Sequence, residues 1–158
     1  RLWQKGEVFK NMSVIDNLNI VSRHKGENLL NYIFKYKEVQ QQENLINEQA
    51  QDVLKLLTLW KKRGDLVRDL SFGQQRLVAF GRLLMDKRIK KGKTVILLDE
   101  PFSGIHSDII ETISNKIKDI ALQGNIVIII EHNFERLHKL ADIQLELKNK
   151  NLITIIND

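Results

Sequence analysis

The 158-residue sequence contains no cysteine and only one proline. Without cysteine there can be no disulfide scaffold, no thiolate metal site and no cysteine nucleophile. Long hydrophobic runs are lacking too, because the two longest aliphatic runs, at 95–98 and 126–130, are far shorter than the ~20 residues of a membrane-spanning helix. Any membrane role of this sequence is therefore expected to depend on a partner.

Aromatic residues are scarce, at 6% of the sequence, whereas hydrophobic residues make up 42% and charged residues 28%. This balance is typical of a globular domain with its own core. The formal net charge of +5 raises the question of nucleic-acid binding. The basic residues are scattered, however, and aromatic residues do not interleave with the small clusters at 61–63 and 87–93. We therefore favour solvated loop charge and expect no specific nucleic-acid ligand.

Two zones of the sequence differ in character. Residues 16–68 are polar and free of proline, and apolar residues at helical spacing around 53–60 predict an amphipathic helix there. From Leu70 onward the pattern alternates between strands and helices. It predicts helices over 74–88, 107–124 and 134–140, all-aliphatic strands over 94–98 and 126–130, and short β segments at 143–147 and 152–156.

The order strand, helix, strand over 94–130 predicts a βαβ unit, and hence an α/β fold with a parallel sheet. Both strands are aliphatic throughout, which favours burial on both faces. The helix between them has Ser107 as its expected N-cap and four isoleucines, at 109, 113, 117 and 120, on its inward face.

Three groups of residues point to chemistry. Asp99 and Glu100 end the first strand, where one carboxylate can hold Mg²⁺ and the next can orient water; the alternative is a solvated strand end stopped by Pro101. His132 ends the second strand, and parallel strand ends meet at one edge, so it is expected near Glu100; the alternative is a capping histidine. Residues 70–76, LSFGQQR, place Ser71 and Gly73 at a helix start that suits an anion, or that is an ordinary helix start.

Taken in order, these segments resemble the ATP-binding-cassette (ABC) ATPases over essentially the whole chain. LSFGQQR resembles the signature motif, TVILLDE at 94–100 the Walker B strand, SGIH at 103–106 the D-loop, and His132 the switch histidine. RLWQ at 1–4 resembles the end of the Q-loop, and SVIDNL at 13–18 the segment after it. The aromatic third residue of the signature and EHN at 131–133 look closest to the branched-chain amino-acid uptake and lipopolysaccharide-export branches.

The resemblance implies a role for each matching residue. Asp99 and Gln4 would contact Mg²⁺, Glu100 would be the general base, and His132 would bond the γ-phosphate of ATP. The signature residues would bind the ATP held by the opposite subunit of a head-to-tail dimer. These residues are Leu70, Ser71, Phe72, Gly73 and Gln74.

The resemblance also implies a P-loop NTPase (RecA-like) core with an inserted helical subdomain. Residues 1–15 would be the Q-loop segment, 16–68 the helical subdomain that couples to transmembrane permease subunits, and 69–158 the carboxyl-terminal half of the core. The expected place is the cytoplasmic face of a membrane. Two departures stand out, namely His106 where many members carry Asp, and Phe72 in place of the usual Gly.

No G-x-x-x-x-G-K-[ST] sequence occurs in the 158 residues, so the Walker A loop that cradles phosphates is not represented. We expect an inactive fragment of an ATPase subunit that self-associates when isolated. Two alternatives stay open, a soluble ABC-type ATPase acting on DNA or ribosomes and a non-catalytic dimerisation remnant. The stretch between Gln4 and Leu70 lacks sustained heptads, which disfavours the coiled-coil insertion of chromosome-maintenance ATPases.

Overall fold

A computed structural model describes residues 8–22, 36–148 and 151–155. Gln4 therefore lies outside the described residues. Six α-helices occur in the described part of the chain: α1 (Val14–Ser22), α2 (Tyr36–Leu56), α3 (Phe72–Met85), α4 (Lys87–Lys90), α5 (Ser107–Leu122) and α6 (Phe134–Leu140). The strands there are β1 (Val95–Asp99), β2 (Ile126–Ile130), β3 (Gln144–Lys148) and β4 (Asn151–Ile155).

The predicted βαβ unit is confirmed. Strands β1 and β2 pair in parallel, with Val95 opposite Ile126 and Asp99 opposite Ile130, and α5 makes the connection between them. The four isoleucines of α5 predicted to face inward are all buried. Because the register is in step along its whole length, the carboxyl ends of both strands finish at the same level. The last two strands, β3 and β4, form a separate antiparallel hairpin.

The helical region is held by a buried asparagine in the SVIDNL segment. Asn17 is fully buried, and its side chain accepts the N–H of Phe9 at 2.8 Å and donates to the carbonyls of Phe9 at 3.0 Å and Ser13 at 2.9 Å. Arg82 of α3 donates to the Asn17 carbonyl at 3.0 Å. These bonds fix the start of α1 against α3, because each satisfies a polar group that is shielded from water.

Two local predictions need correction. The helix predicted over 74–88 begins earlier, at Phe72, and breaks at Asp86, whose side chain caps α4 by accepting the Arg88 N–H at 2.9 Å. The Arg88 guanidinium bonds the same carboxylate and holds the pKa of Asp86 below its usual value, against the opposing effect of burial. Ser107 is the first residue of α5 and not its cap, since the N-cap is His106, which makes no side-chain capping bond.

The sheet is buried on one face only, which corrects the prediction of burial on both. Ile96 and Leu98 are 2% and 1% exposed and lie in the core, whereas Ile126 on the opposite face is 62% exposed. Apart from Asp99 at the end of β1, this outer face consists of aliphatic side chains. Its members are Val95, Leu97, Ile126, Ile128 and Ile130. Among the described residues, β1 is the only partner of β2, so the far edge of β2 has an unpaired backbone ladder.

We expect the isolated chain to self-associate through this outer face and edge, because both an apolar patch and an unpaired ladder favour pairing with another chain. Sedimentation at micromolar concentration should show dimers or larger species, and Ile128→Lys should shift the distribution toward monomer. The matched control is Leu122→Lys, which charges a leucine that is 85% exposed on α5 and should change nothing. A monomeric wild type with slowly exchanging amides in β2 would contradict the prediction.

Candidate functional site

The strand register places the predicted acid and histidine in contact. Glu100 directly follows β1, and its N–H donates to the Ile130 carbonyl at 2.8 Å, which extends the parallel ladder by one bond. His132 follows β2, and its Nε2 lies 3.1 Å from Oε1 of Glu100. The Glu100 side chain is 24% exposed and the His132 side chain 83% exposed, so the pair sits at the surface with the histidine outermost. The predicted proximity is confirmed, while the roles of both residues stay predictions.

Glu100 adopts an unusual backbone conformation. Its φ is +44°, in the left-handed region that few residues other than glycine occupy. The Glu100 carbonyl accepts two bonds, one from the Ser103 N–H at 3.1 Å and one from the Arg76 guanidinium of α3. Such conformations persist where the surroundings impose them, and they occur often at functional sites. Here the bonds on both sides of the residue fix the direction of its Cα–Cβ bond, from which the carboxylate extends.

Glu131, between β2 and His132, is a contributor that the sequence reasoning missed. Its Oε1 accepts the Phe102 N–H at 3.3 Å, and its Oε2 accepts the His132 N–H at 3.2 Å. One carboxylate thus ties the loop after β1 to the segment after β2. The sequence did contain a signal for this role, namely a carboxylate directly before His132 at the end of a strand. At that position a carboxylate can reach the backbone N–H groups of the loop that follows the neighbouring strand.

The start of α3 forms a capping box. Ser71 Oγ accepts the Gln74 N–H at 3.3 Å, and Gln74 Oε1 accepts the Ser71 N–H at 3.1 Å. Leu70 is 5% exposed and belongs to the core. The first-turn N–H groups of Phe72 and Gly73 have no intrahelical carbonyl to bond, which leaves them suited to an anion.

The start of α3 touches the loop between β1 and α5, backbone against backbone. A Cβ built on Gly73 would lie less than 3.0 Å from the carbonyl oxygen of Gly104. Gly104 has a φ of +71°, and the Phe72 ring lies beside its α-carbon, where a side chain would otherwise stand. Phe72 itself is 59% exposed. The contact couples the predicted signature segment to the predicted D-loop without any intervening side chain.

An open groove of about 750 Å³ runs beside this contact. Ser71, Gly73 and Gln74 line one part of it, and His106 and Asp108 another. The Nδ1 atom of His106 lies 3.3 Å from Oδ2 of Asp108, and both side chains are largely exposed. His106 is the predicted D-loop residue at a position where many ABC ATPases carry aspartate. The neighbouring Asp108 brings a carboxylate into the same groove.

The acidic residues suit a metal ion that is held jointly with a phosphate ligand better than one that is held by protein side chains alone. No group of three or more His, Cys, Asp or Glu residues that could hold a metal occurs within 8–22, 36–148 and 151–155. Mg²⁺ is commonly held by one or two carboxylates together with substrate phosphates. Asp99, half-buried at the end of β1, could hold Mg²⁺ together with phosphates in this way. Among the described helices, none is both long and apolar enough to cross a membrane.

Comparison with known proteins gives consistent matches. The protein-family model described as "ABC transporter" matches residues 2–103 of this chain. The probable branched-chain amino acid transport ATP-binding protein LivG of Methanocaldococcus jannaschii is 31% identical over 135 residues, which cover 85% of this chain. The UvrABC system protein A of Aquifex aeolicus is 34% identical over 86 residues, 54% of this chain and 9% of that protein.

A solved structure shares the fold. The crystal structure of a nucleotide-free ATP-binding cassette from an ABC transporter aligns with 97% of this chain, with a TM-score of 0.64 and 29% identity. The chain spans about half the length of the relatives it matches, 50% of the Methanocaldococcus protein and 58% of the crystallised cassette. The predicted P-loop NTPase fold class is thereby confirmed.

Proposed function

Because this chain belongs to the ABC transporter family, we propose that it is the carboxyl-terminal part of an ATP-hydrolysing transporter subunit. The observation that carries the proposal is the 3.1 Å contact between His132 Nε2 and Glu100 Oε1. It joins a carboxylate and an imidazole at the carboxyl edge of a parallel sheet, where ligands of α/β folds bind. The proposed branch is branched-chain amino-acid transport, on the likeness to the Methanocaldococcus protein.

In the proposed reaction Glu100 accepts a proton from the water that attacks the γ-phosphate of ATP. Its constrained backbone and the His132 contact hold the carboxylate in one orientation. His132 is largely exposed, and with both ring nitrogens protonated it could donate to Glu100 through Nε2 and to a phosphate oxygen through Nδ1. Asp99 would hold Mg²⁺ together with the phosphates, and the ion would neutralise charge that develops on them. Gln4 is proposed as a further Mg²⁺ contact, although it lies outside the described residues.

The start of α3 is proposed to act on the ATP of a second subunit. Ser71, Phe72 and Gly73 present a hydroxyl and two first-turn N–H groups at the positive end of a helix dipole, which favours a phosphate. Leu70 and Gln74 hold this surface in place. Leu70 is buried in the core, and the Gln74 side chain accepts the Ser71 N–H in the capping box. The proposed assembly is a head-to-tail dimer of cassettes, bound to transmembrane permease subunits at the cytoplasmic face of the membrane.

The division of the chain follows from the same proposal. Residues 1–15 would belong to the Q-loop segment, 16–68 to the helical subdomain that contacts the permease, and 69–158 to the ATPase core. The packing of α1 against α3 through Asn17 and Arg82 supports a firm connection between the second and third parts. We call the chain together with a Walker A half the complete subunit.

Nucleotide titration tests where the ATP affinity resides. We expect the isolated chain to bind MgATP only weakly, because the backbone N–H groups and lysine of a Walker A loop supply most of the phosphate contacts in this fold. The complete subunit, which includes a Walker A loop, should bind MgATP more tightly than the isolated chain. Isothermal calorimetry on both proteins measures this difference. Micromolar binding by the isolated chain, about −8 kcal/mol of binding free energy, would contradict the proposal.

Ser71→Arg tests the action in trans. The change should block dimer-dependent ATP hydrolysis by the complete subunit, because a bulky side chain at the N-cap would occupy the space of the partner's phosphate. ATP affinity of the monomer should stay nearly unchanged. The control is Asn115→Arg, on the exposed side of α5 and outside the groove, which should hydrolyse ATP normally. A loss of monomer affinity, or full activity of the Ser71 variant, would place Ser71 elsewhere.

The second candidate function is a soluble ABC-type ATPase that acts on DNA or ribosomes, and the match to UvrABC system protein A, whose name is not that of a transport protein, is the observation that favours it. It predicts that DNA or ribosomes, and not permease-containing membranes, stimulate ATP turnover of the complete subunit. Side-by-side assays with the three additions separate the two functions.

A further inference from the structure

One side chain connects the two parts of the site that act on different nucleotides in the proposed function. Arg76 lies one turn into α3 and is half-buried. Its Nη1 donates to the Glu100 carbonyl, and its guanidinium lies 4.9 Å from the centroid of the Phe72 ring. Its Nε is buried and has no hydrogen-bond partner among the described residues. A buried N–H without a partner is costly, so the other contacts of the guanidinium must hold it in place.

The Glu100 end of this connection is the strained one. The residue has a φ of +44°, and its conformation relaxes unless its peptide groups are held. Its N–H is held by the sheet through Ile130, and its carbonyl by Ser103 and Arg76. Of these, the Arg76 bond is the charge-assisted one, which makes it the strongest type. It is also the one that arises outside the sheet and its connecting loop.

The Phe72 end is exposed and lies at the proposed trans surface. The Phe72 ring lies against both the Arg76 guanidinium and Gly104, so a change in the position of the ring changes both contacts. From the sequence alone, Phe72 is only a departure from the usual Gly at the third signature position. The structure gives it a contact that a glycine could not make.

We propose that Arg76 is a positioning residue that fixes the Glu100 backbone and transmits the state of Phe72 at the start of α3 to the Glu100–His132 pair. The proposal rests on the proposed function, in which α3 contacts one ATP and Glu100 acts on another. A nucleotide of the partner subunit that binds against Phe72 and Gly73 would then restrict the movement of the Arg76 side chain over the ring. Through its hydrogen bond, Arg76 would in turn restrict the movement of the Glu100 carbonyl. Hydrolysis would be favoured only when both subunits are engaged.

The first test is spectroscopic and independent of ATP turnover. Arg76→Gln in the 158-residue chain should shift the NMR signals of the His132 imidazole and of the Glu100 and Phe102 amides. Arg76→Lys, which keeps the charge but not the planar stacking, should give smaller shifts. The matched control is Arg63→Gln, because Arg63 also lies over a ring, 4.5 Å from Trp60, and donates to a carbonyl, at 3.3 Å, but far along the chain from Glu100.

Phe72→Leu provides a second variant in case Arg76→Gln does not fold, since Phe72 is largely exposed and its replacement spares the core. It should shift the same signals in the same direction by a smaller amount. Unchanged His132 and Glu100 signals in a folded Arg76→Gln chain, or equal shifts in Arg63→Gln, would overturn the proposal.

The second test measures ATP turnover by the complete subunit. Arg76→Gln should lower kcat about 10- to 100-fold, which corresponds to about 1.4–2.8 kcal/mol, with KM for ATP changed less than about twofold. In a Glu100→Gln background, single-turnover measurements should show no further loss, because Arg76 acts through Glu100. An equal additional loss in that background would overturn the positioning role. A wild-type subunit without ATPase activity would overturn the proposed function instead, and the NMR result would still decide the role of Arg76.

Discussion

Glu100→Gln is expected to lower ATP turnover of the complete subunit about 10²- to 10⁴-fold, the usual contribution of a general base. The amide keeps the shape of the carboxylate and can still bond His132, but it cannot accept a proton at neutral pH. Ground-state binding should therefore survive, and an ATP-bound dimer should accumulate. ATPase assays, calorimetry and gel filtration with ATP measure the three quantities together.

Two matched variants make this result specific. Glu111→Gln makes the same chemical change on the exposed side of α5 and should have normal turnover. Glu131→Gln makes it next to the site, where the carboxylate accepts the N–H groups of Phe102 and His132. The amide oxygen retains part of that acceptance, so the loss should be much smaller than for Glu100. Near-normal hydrolysis by Glu100→Gln, or an equal loss in Glu131→Gln, would remove Glu100 from the base role.

The parts of the fold that the sequence predicted are those set by local pattern. Strand β2 and helix α6 have the predicted bounds, 126–130 and 134–140, because an uninterrupted aliphatic run and a following polar break leave little ambiguity. The proximity of His132 to Glu100 followed from the rule that parallel strands end at one edge. No knowledge of side-chain packing was needed for either.

The parts that escaped prediction depend on contacts between distant segments. Arg76 reads as an ordinary helical arginine, and its bond to the Glu100 carbonyl arises only once α3 packs beside the loop after β1. The exposed outer face of the sheet also escaped, since an all-aliphatic strand reads as buried on both sides whether or not a cover is present. The break at Asp86 was missed because a capping carboxylate within a helix-prone run leaves the apolar spacing intact.

The contact between Gly73 and Gly104 predicts a large effect of a single methyl group. Gly73→Ala should lower the free energy of unfolding by about 1–3 kcal/mol, the usual cost of overpacking, and at the upper end of that range. The reason is that the Cβ would meet the Gly104 carbonyl oxygen and carbon, and backbone atoms have less freedom to move aside than a flexible side chain. The helical preference for alanine over glycine, at most about 1 kcal/mol, opposes this cost only in part.

The displacement should extend to function, because the loop that carries Gly104 also carries Phe102, which Glu131 ties to the His132 segment. In the complete subunit, Gly73→Ala should therefore reduce ATP turnover as well as stability. Urea denaturation at one fixed protein concentration measures the first effect and ATPase assays the second. Gly64→Ala is the matched control, since a Cβ there meets nothing within 4 Å and should leave stability unchanged or slightly raised. Equal stability and activity of the two alanine variants would show that the loop yields freely, and that the start of α3 and the loop after β1 are not coupled through this contact.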